Sequence, residues 1–216
     1  MPEFTFIQKL AIFAIPVIFA ITVHEAAHGL VASRFGDQTA RLAGRLTLNP
    51  IKHIDPIGTV VLPLILLAVG GLIIGWAKPV PVEWRNLRNP KRDMAWVAIA
   101  GPGANLVMML LWTLLAKAAI SFEAVFQGFA QPMLYMAMAG VTINIVLMVL
   151  NLLPVPPLDG SRVVSSLLPS RLAYKYNRIE PYGLIIVIIL LATGALSWIL
   201  WPIIEGVRHL MLTFIL

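Results

Sequence analysis

Apolar, charge-free runs punctuate the chain at Leu10–Val23, Pro56–Ala77, Met94–Ala116, from Ala124 up to Asp159, and at Pro181–Ile204. A helix that crosses a bilayer needs roughly 20 apolar residues, and the last four runs reach that length. The first falls short only because His24 and Glu25 interrupt it; around them apolar character extends from Phe4 to about Ala32. That start is a poor removable signal, because its apolar stretch leads straight into ionisable residues with no polar cleavage region. The pattern predicts an all-α polytopic membrane protein with about 5–6 transmembrane or re-entrant helical segments.

Two connections do not read as plain loops. Thr39–Leu48 alternates weakly and suggests a short hairpin around Gly44, while Pro79 and Pro81 exclude an ordinary helix from Trp76–Val82. Such backbone survives at membrane depth only when buried in protein or lining a wet cavity. Short extended, β-like re-entrant pieces are therefore expected beside a cavity.

Composition agrees with the pattern. Hydrophobic residues make up 59% of the 216 and charged residues 12%, against about 45–50% and about 25% in soluble domains. A water-soluble globule is excluded. With no cysteine, disulfides and zinc–thiolate sites are excluded too. The net charge of +6 is spread over short loops, which suits basic cytoplasmic loops and gives no reason to expect nucleic acid. No repeat or linker divides the chain, so residues 1–216 read as one integral membrane domain.

Ionisable residues inside a bilayer are costly and are functional candidates by default. The strongest group is His24-Glu25-Ala26-Ala27-His28. Residues four apart share a helix face, so two imidazoles can bind one Zn²⁺ while the adjacent Glu25 polarises a water. The plainer alternative is a polar cluster that pins helices together without metal. A catalytic zinc also needs a third protein ligand and an open position. His53, Asp55, Glu180 and Glu205 are available, but Asp159 is the best candidate. It ends the run Asn151-Leu-Leu-Pro-Val-Pro-Pro-Leu-Asp-Gly160, whose prolines break the helix and free a carboxylate to turn inward.

The pair H-E-A-A-H and N-L-L-P-V-P-P-L-D-G, in that order within apolar runs, resembles the site-2 proteases, the zinc intramembrane metalloproteases of peptidase family M50. Ala100-Gly-Pro-Gly-Ala-Asn105 is similar to that family's Gly-Pro-x-x-Asn motif. The resemblance covers most of residues 5–168, leaving C-terminal helices over about 179–216. It implies His24, His28 and Asp159 as Zn²⁺ ligands and Glu25 as general base. Asn151 and Asn105 are the candidate substrate-binding residues; for both, the plainer role is helix–helix hydrogen bonding. The implied activity is hydrolysis of peptide bonds in or near transmembrane segments of membrane proteins. Such substrates and the bilayer are the expected partners. The form is compact, with no PDZ module between the motifs and no CBS module after them. The competing function is a non-proteolytic membrane metal-binding or transport protein. Transport would favour an ionisable path across the bilayer, whereas these residues concentrate at one depth.

Pro56–Ala77 sets the topology. If it spans, the two metal-binding motifs face opposite sides. If it is re-entrant, with bends at Pro63 and Gly70-Gly71, every basic residue except Lys9, Lys117 and Arg208 falls on one side. The positive-inside rule favours the second arrangement. It predicts an outside N-terminus and a zinc site facing the cytoplasm of a bacterial-type cell membrane. Thr39–Leu48 or Lys78–Val82 would supply an edge for an unwound substrate strand. Trp84, Trp96, Trp198 and Trp201 read as interface anchors, and the methionines as packing.

Overall fold

Thr5 begins the first helix with a reciprocal cap: its hydroxyl accepts the Gln8 N–H, and the Gln8 side chain accepts the Thr5 N–H. From there α1 runs over Phe6–Arg34 and stops at Gly36, whose φ of 115° suits only glycine without strain. The computed structural model describes residues 5–61 and 78–215. Among these residues all regular structure is helical.

The expected hairpin at Thr39–Leu48 is not formed. Thr39–Leu42 is a single helical turn, α2, and only the bend at Gly44 (φ 63°) survives from that expectation. Local i→i−4 bonds from Leu42 and Ala43 to Gln38 and Thr39 satisfy the backbone that a hairpin would have paired across strands. Lys78–Val82 is irregular and is held by side chains rather than by a strand ladder.

Next comes α3, Pro90–Ser121. Pro90 occupies its first turn, where a missing N–H costs nothing, and Asp93 accepts the Asn89 N–H at 2.8 Å. After the short α4 (Glu123–Phe126), α5 covers Ala130–Asn151. Three prolines keep 152–158 irregular until α6 (Asp159–Leu167) and α7 (Ser170–Asn177). The last apolar run differs from its expected form. Gly194, at φ 75°, ends α8 (Gly183–Ala192), and α9 continues from Ala195 to Ile215. That helix carries Glu205 and Arg208 inside an apolar segment, where the two pair with each other one turn apart.

Among the described residues, four helical segments are long and apolar enough to cross a membrane: Ile12–Arg34, Pro90–Ser121, Ala130–Asn151 and Ala195–Ile215. α3 and α5 make the most extensive helix pair, with α1 against both. Met109, Val141, Ile145 and Val149 meet Leu196, Leu200, Ile204 and Met211 in the main core. Phe13, Phe19, Leu111 and Leu114 are exposed on outer faces, the positions that acyl chains cover in a bilayer. The chain is thus an all-α, polytopic integral membrane protein.

The expected bends at Pro63 and Gly70-Gly71 lie outside the described residues, but the flanks of that stretch are fixed. The Lys78 N–H donates to His53 O at 2.9 Å, and the Arg88 N–H donates to Phe35 O at 2.9 Å. The end of α1 and the start of α3 therefore lie at the same end of the bundle.

Candidate metal centre

His24 and His28 lie one turn apart in the C-terminal half of α1, and both are buried. Asp159 reaches them from the first turn of α6. The two Nε2 atoms are 3.1 Å apart, and Asp159 Oδ2 is 3.2 Å from His24 Nε2 and 3.3 Å from His28 Nε2. No other set of three or more His, Asp or Glu among the described residues converges in this way.

Which atoms carry protons follows from the far sides of the rings. His28 Nδ1 lies 2.7 Å from Val97 O, an acceptor only, so the His28 proton sits on Nδ1. His24 Nδ1 lies 2.6 Å from Asn105 Oδ1 and donates to it. Neutral imidazoles so arranged turn two unprotonated Nε2 lone pairs toward a carboxylate oxygen that is buried and receives no hydrogen bond. Three acceptors facing one another repel unless a cation lies between them. A tetrahedral ion with bonds of about 2.0–2.1 Å holds its ligand atoms about 3.3–3.4 Å apart, close to the spacings here. Donor set, spacing and backing partners all fit Zn²⁺.

Small residues make room for the triad. A Cβ on Gly101 of α3 would lie 2.4 Å from His28 Nε2 and 2.6 Å from His24 Nε2. At Gly160 it would lie 2.2 Å from Leu152 O, so the Asp-Gly step is what lets α6 tuck under the end of α5.

Glu25 shares with the triad the lining of a cavity of about 580 Å³. Its Oε2 accepts the Val80 N–H at 2.7 Å, while Arg45 donates to the carbonyls of Lys78 and Pro79 and pins the same segment. Ile21, Val80 and Leu147 give the cavity apolar wall; Asn151 and Arg162 add polar groups beside Asp159. The Arg162 guanidinium pairs with Glu180 and lies 5.6 Å from the Trp84 ring centre.

The comparisons meet this geometry. YwhC of Bacillus subtilis (strain 168), grouped by name with the zinc metalloproteases, is 40% identical over 200 residues, which cover 92% of this chain and 88% of that protein. The chain belongs to peptidase family M50. The family's own model matches residues 118–194 of this M50 peptidase, which include Asp159. Two proteins named Rip2, also grouped with the zinc metalloproteases, are 32% identical. That of Mycolicibacterium smegmatis aligns over 83% of this chain and 66% of its own length, and that of Mycobacterium tuberculosis (strain H37Rv) over 66% and 52%. No solved structure matches. Membership makes the chain a zinc-dependent peptidase, in keeping with the fit of the triad to Zn²⁺.

The sequence candidates divide in space. His24, Glu25, His28, Asp159 and Asn151 line one cavity. Asn151 ends α5 with its Nδ2 donating to Leu147 O at 3.0 Å. Asn105, expected to touch substrate, is 0% exposed, and its partners are His24, Ala20 O and Asn144. A residue sealed in this way supports a ring and does not meet a ligand. His53 bonds to Thr47 O, Glu180 pairs with Arg162, and Glu205 pairs with Arg208, so these three serve elsewhere. Asn144 is a neighbour of the site that composition left unmarked. Its signal is an amide inside an apolar helix, two turns before Asn151 and on the same face.

Proposed function

We propose that this M50 peptidase is an intramembrane protease, hydrolysing peptide bonds in or near transmembrane segments of membrane proteins, as one domain over residues 1–216. In this reading His24, His28 and Asp159 hold the zinc and Glu25 is the general base. The observation that carries it is the triad's address: three converging acceptors, buried within a bundle of apolar helices, beside a cavity that also receives Glu25. A path for transport would need ionisable groups at successive depths, and the cluster lies at one.

Bound zinc supplies Lewis-acid activation of the water and the scissile carbonyl. The chain's own residues do the rest. Glu25 Oε2 is held by the Val80 N–H, which leaves Oε1 to take a proton from the attacking water and pass it to the leaving amine. His24 and His28 keep their Nδ1 protons on Asn105 and Val97 O, so both rings stay aimed. Asn151 offers its second amide hydrogen to the substrate carbonyl as charge develops there. The apolar wall holds the flanking substrate side chains, and the polar groups around Asp159 admit the water that hydrolysis consumes. The joined flanks of 54–77 support the arrangement that gathers most basic residues at the zinc end, which the positive-inside rule places in the cytoplasm.

The test is wild type against Glu25→Gln, with zinc content and cleavage of a membrane-embedded reporter measured on the same preparations. Retained zinc with cleavage down by about 10²–10⁴ is expected for loss of a general base. Cleavage that survives the substitution overturns the role of Glu25.

A further inference from the structure

Behind His24 lies a chain of buried amides that ends on a group able only to accept. Asn144 Nδ2 donates to Gly140 O at 2.8 Å within α5. Asn105 Nδ2 on α3 donates to Asn144 Oδ1 at 2.9 Å and to Ala20 O of α1 at 3.4 Å. Asn105 Oδ1 then faces His24 Nδ1 at 2.6 Å. Asn105 and Asn144 are both 0% exposed, so no solvent can substitute for a missing partner.

The direction of every bond is forced. Gly140 O has no proton to give, so Asn144 must turn its NH₂ toward it and its Oδ1 toward Asn105. Asn105 must then present its own NH₂ to Asn144, which leaves Oδ1 for the imidazole. His24 can satisfy that oxygen only with a proton on Nδ1, and its Nε2 lone pair is left for the metal. If Asn105 flipped, its NH₂ would meet the ring, the proton would move to Nε2 and the triad would lose a ligand. The 3.4 Å contact with Ala20 O is long, so the shorter bond to Asn144 does most to prevent the flip.

We propose that Asn144 is a positioning residue of the metal centre: through Asn105 it fixes the tautomer in which His24 can bind zinc. The relay spans α5, α3 and α1, so the ligand's tautomer is set by the packing of three helices of the bundle. The proposal rests on the reading of His24 as a zinc ligand.

The test uses the full-length chain, ¹⁵N-labelled at histidine, of which there are only four. In zinc-free wild type the His24 nitrogen shifts should report the Nδ1–H form. Asn144→Leu, near in size but unable to accept, should admit the Nε2–H form and weaken zinc in a chelator competition. The loss should be about tenfold, the low end of the range for outer-shell partners of a metal ligand. Asn144→Asp, kept as the neutral acid by full burial, can donate its O–H to Gly140 O while keeping an acceptor toward Asn105, and should stay near wild type. The double variant Asn105→Leu/Asn144→Leu should bind no more weakly than Asn105→Leu alone, because the two act in series. If Asn144→Leu does not fold, Asn144→Ser takes its place; its hydroxyl can still donate to Gly140 O but is too short to reach Asn105.

An unchanged tautomer and affinity in the disrupting variant overturns the proposal. Equal losses from Leu and Asp, or additive losses in the double variant, overturn it too, since they indicate helix packing alone. His24→Ala separates the two levels. Zinc bound as in wild type by that variant overturns the ligand reading and the proposal together. Zinc lost by it, beside an unaffected Asn144→Leu, overturns the proposal alone.

Discussion

Gly101 lies so close to His28 that a methyl group on its Cα would stand 2.4 Å from the Nε2 atom. The contact sits on the binding side of the ring, not on its backing side. A Gly101→Ala chain must therefore move an imidazole or part α3 from α1. Overpacking of this kind costs about 1–3 kcal/mol, while alanine returns up to about 1 kcal/mol of helix propensity. Folding is expected to survive and the triad to be spoiled. Zinc affinity should fall at least tenfold in Gly101→Ala, while Gly103→Ala, where a Cβ meets nothing within 4 Å, stays at wild type. Equal affinities in the two variants would show that the triad tolerates displacement.

Legibility in the sequence differs by residue. His24, His28 and Asp159 were legible because charge in an apolar run needs a reason, and the structure brings them within 3.3 Å of one another. Asn105 was visible as a motif position but took the wrong neighbour, because spacing does not say which face of a helix reaches a cavity. Asn144 shows in the sequence only as an amide inside an apolar run; its partner on α3 emerges where α5 crosses that helix. Thr39–Leu48 misled because weak alternation over ten residues also fits one helical turn followed by irregular chain. The last apolar run was divided at Gly194, a break that depends on a backbone angle rather than on hydropathy.

Asn151 separates binding of substrate from binding of metal. It lines the cavity beside Asp159, yet its side-chain amide donates to Leu147 O within its own helix. Asn151→Ala should leave zinc affinity unchanged and lower kcat by about 10²–10³, the loss expected when a donor to a developing oxyanion is removed. A rise in KM with kcat intact would place Asn151 on the bound substrate rather than on its reacting carbonyl.

The joined flanks at His53 and Lys78 make a prediction about sidedness. The chain has no cysteine, so single cysteines report cleanly. Arg85→Cys and Lys175→Cys should share one accessibility. Lys117→Cys should have the other, because Lys117 lies at the far end of α3, where its Nζ bonds to Phe214 O. With a membrane-impermeant reagent on intact cells, only Lys117→Cys should label. Labelling of Arg85→Cys and not Lys117→Cys would invert the orientation. Different accessibilities at 85 and 175 would contradict the single-ended arrangement itself.

Asp37 ties the end of α1 to the segment that carries Val80 and Trp84. It is buried, and burial pushes its carboxyl up. Hydrogen bonds from the Thr39 hydroxyl and N–H, the Glu83 N–H and the Asn86 amide outweigh that and hold it below the usual carboxylate range. Because the folded value is depressed, the stabilisation is complete above the unfolded pKa of about 3.9 and is lost as pH falls through the folded value. Thermal stability in detergent should be flat with respect to this group near neutrality and should decline below about pH 4. Asp37→Asn should cost about 1–3 kcal/mol at pH 7, as expected for weakened bonds to a buried charge, and should remove part of the acid slope. Should the variant melt with the wild-type profile at both pH values, Asp37 does not hold the loop, and the position of Val80 over Glu25 must be kept by Arg45 and the His53–Lys78 bond instead.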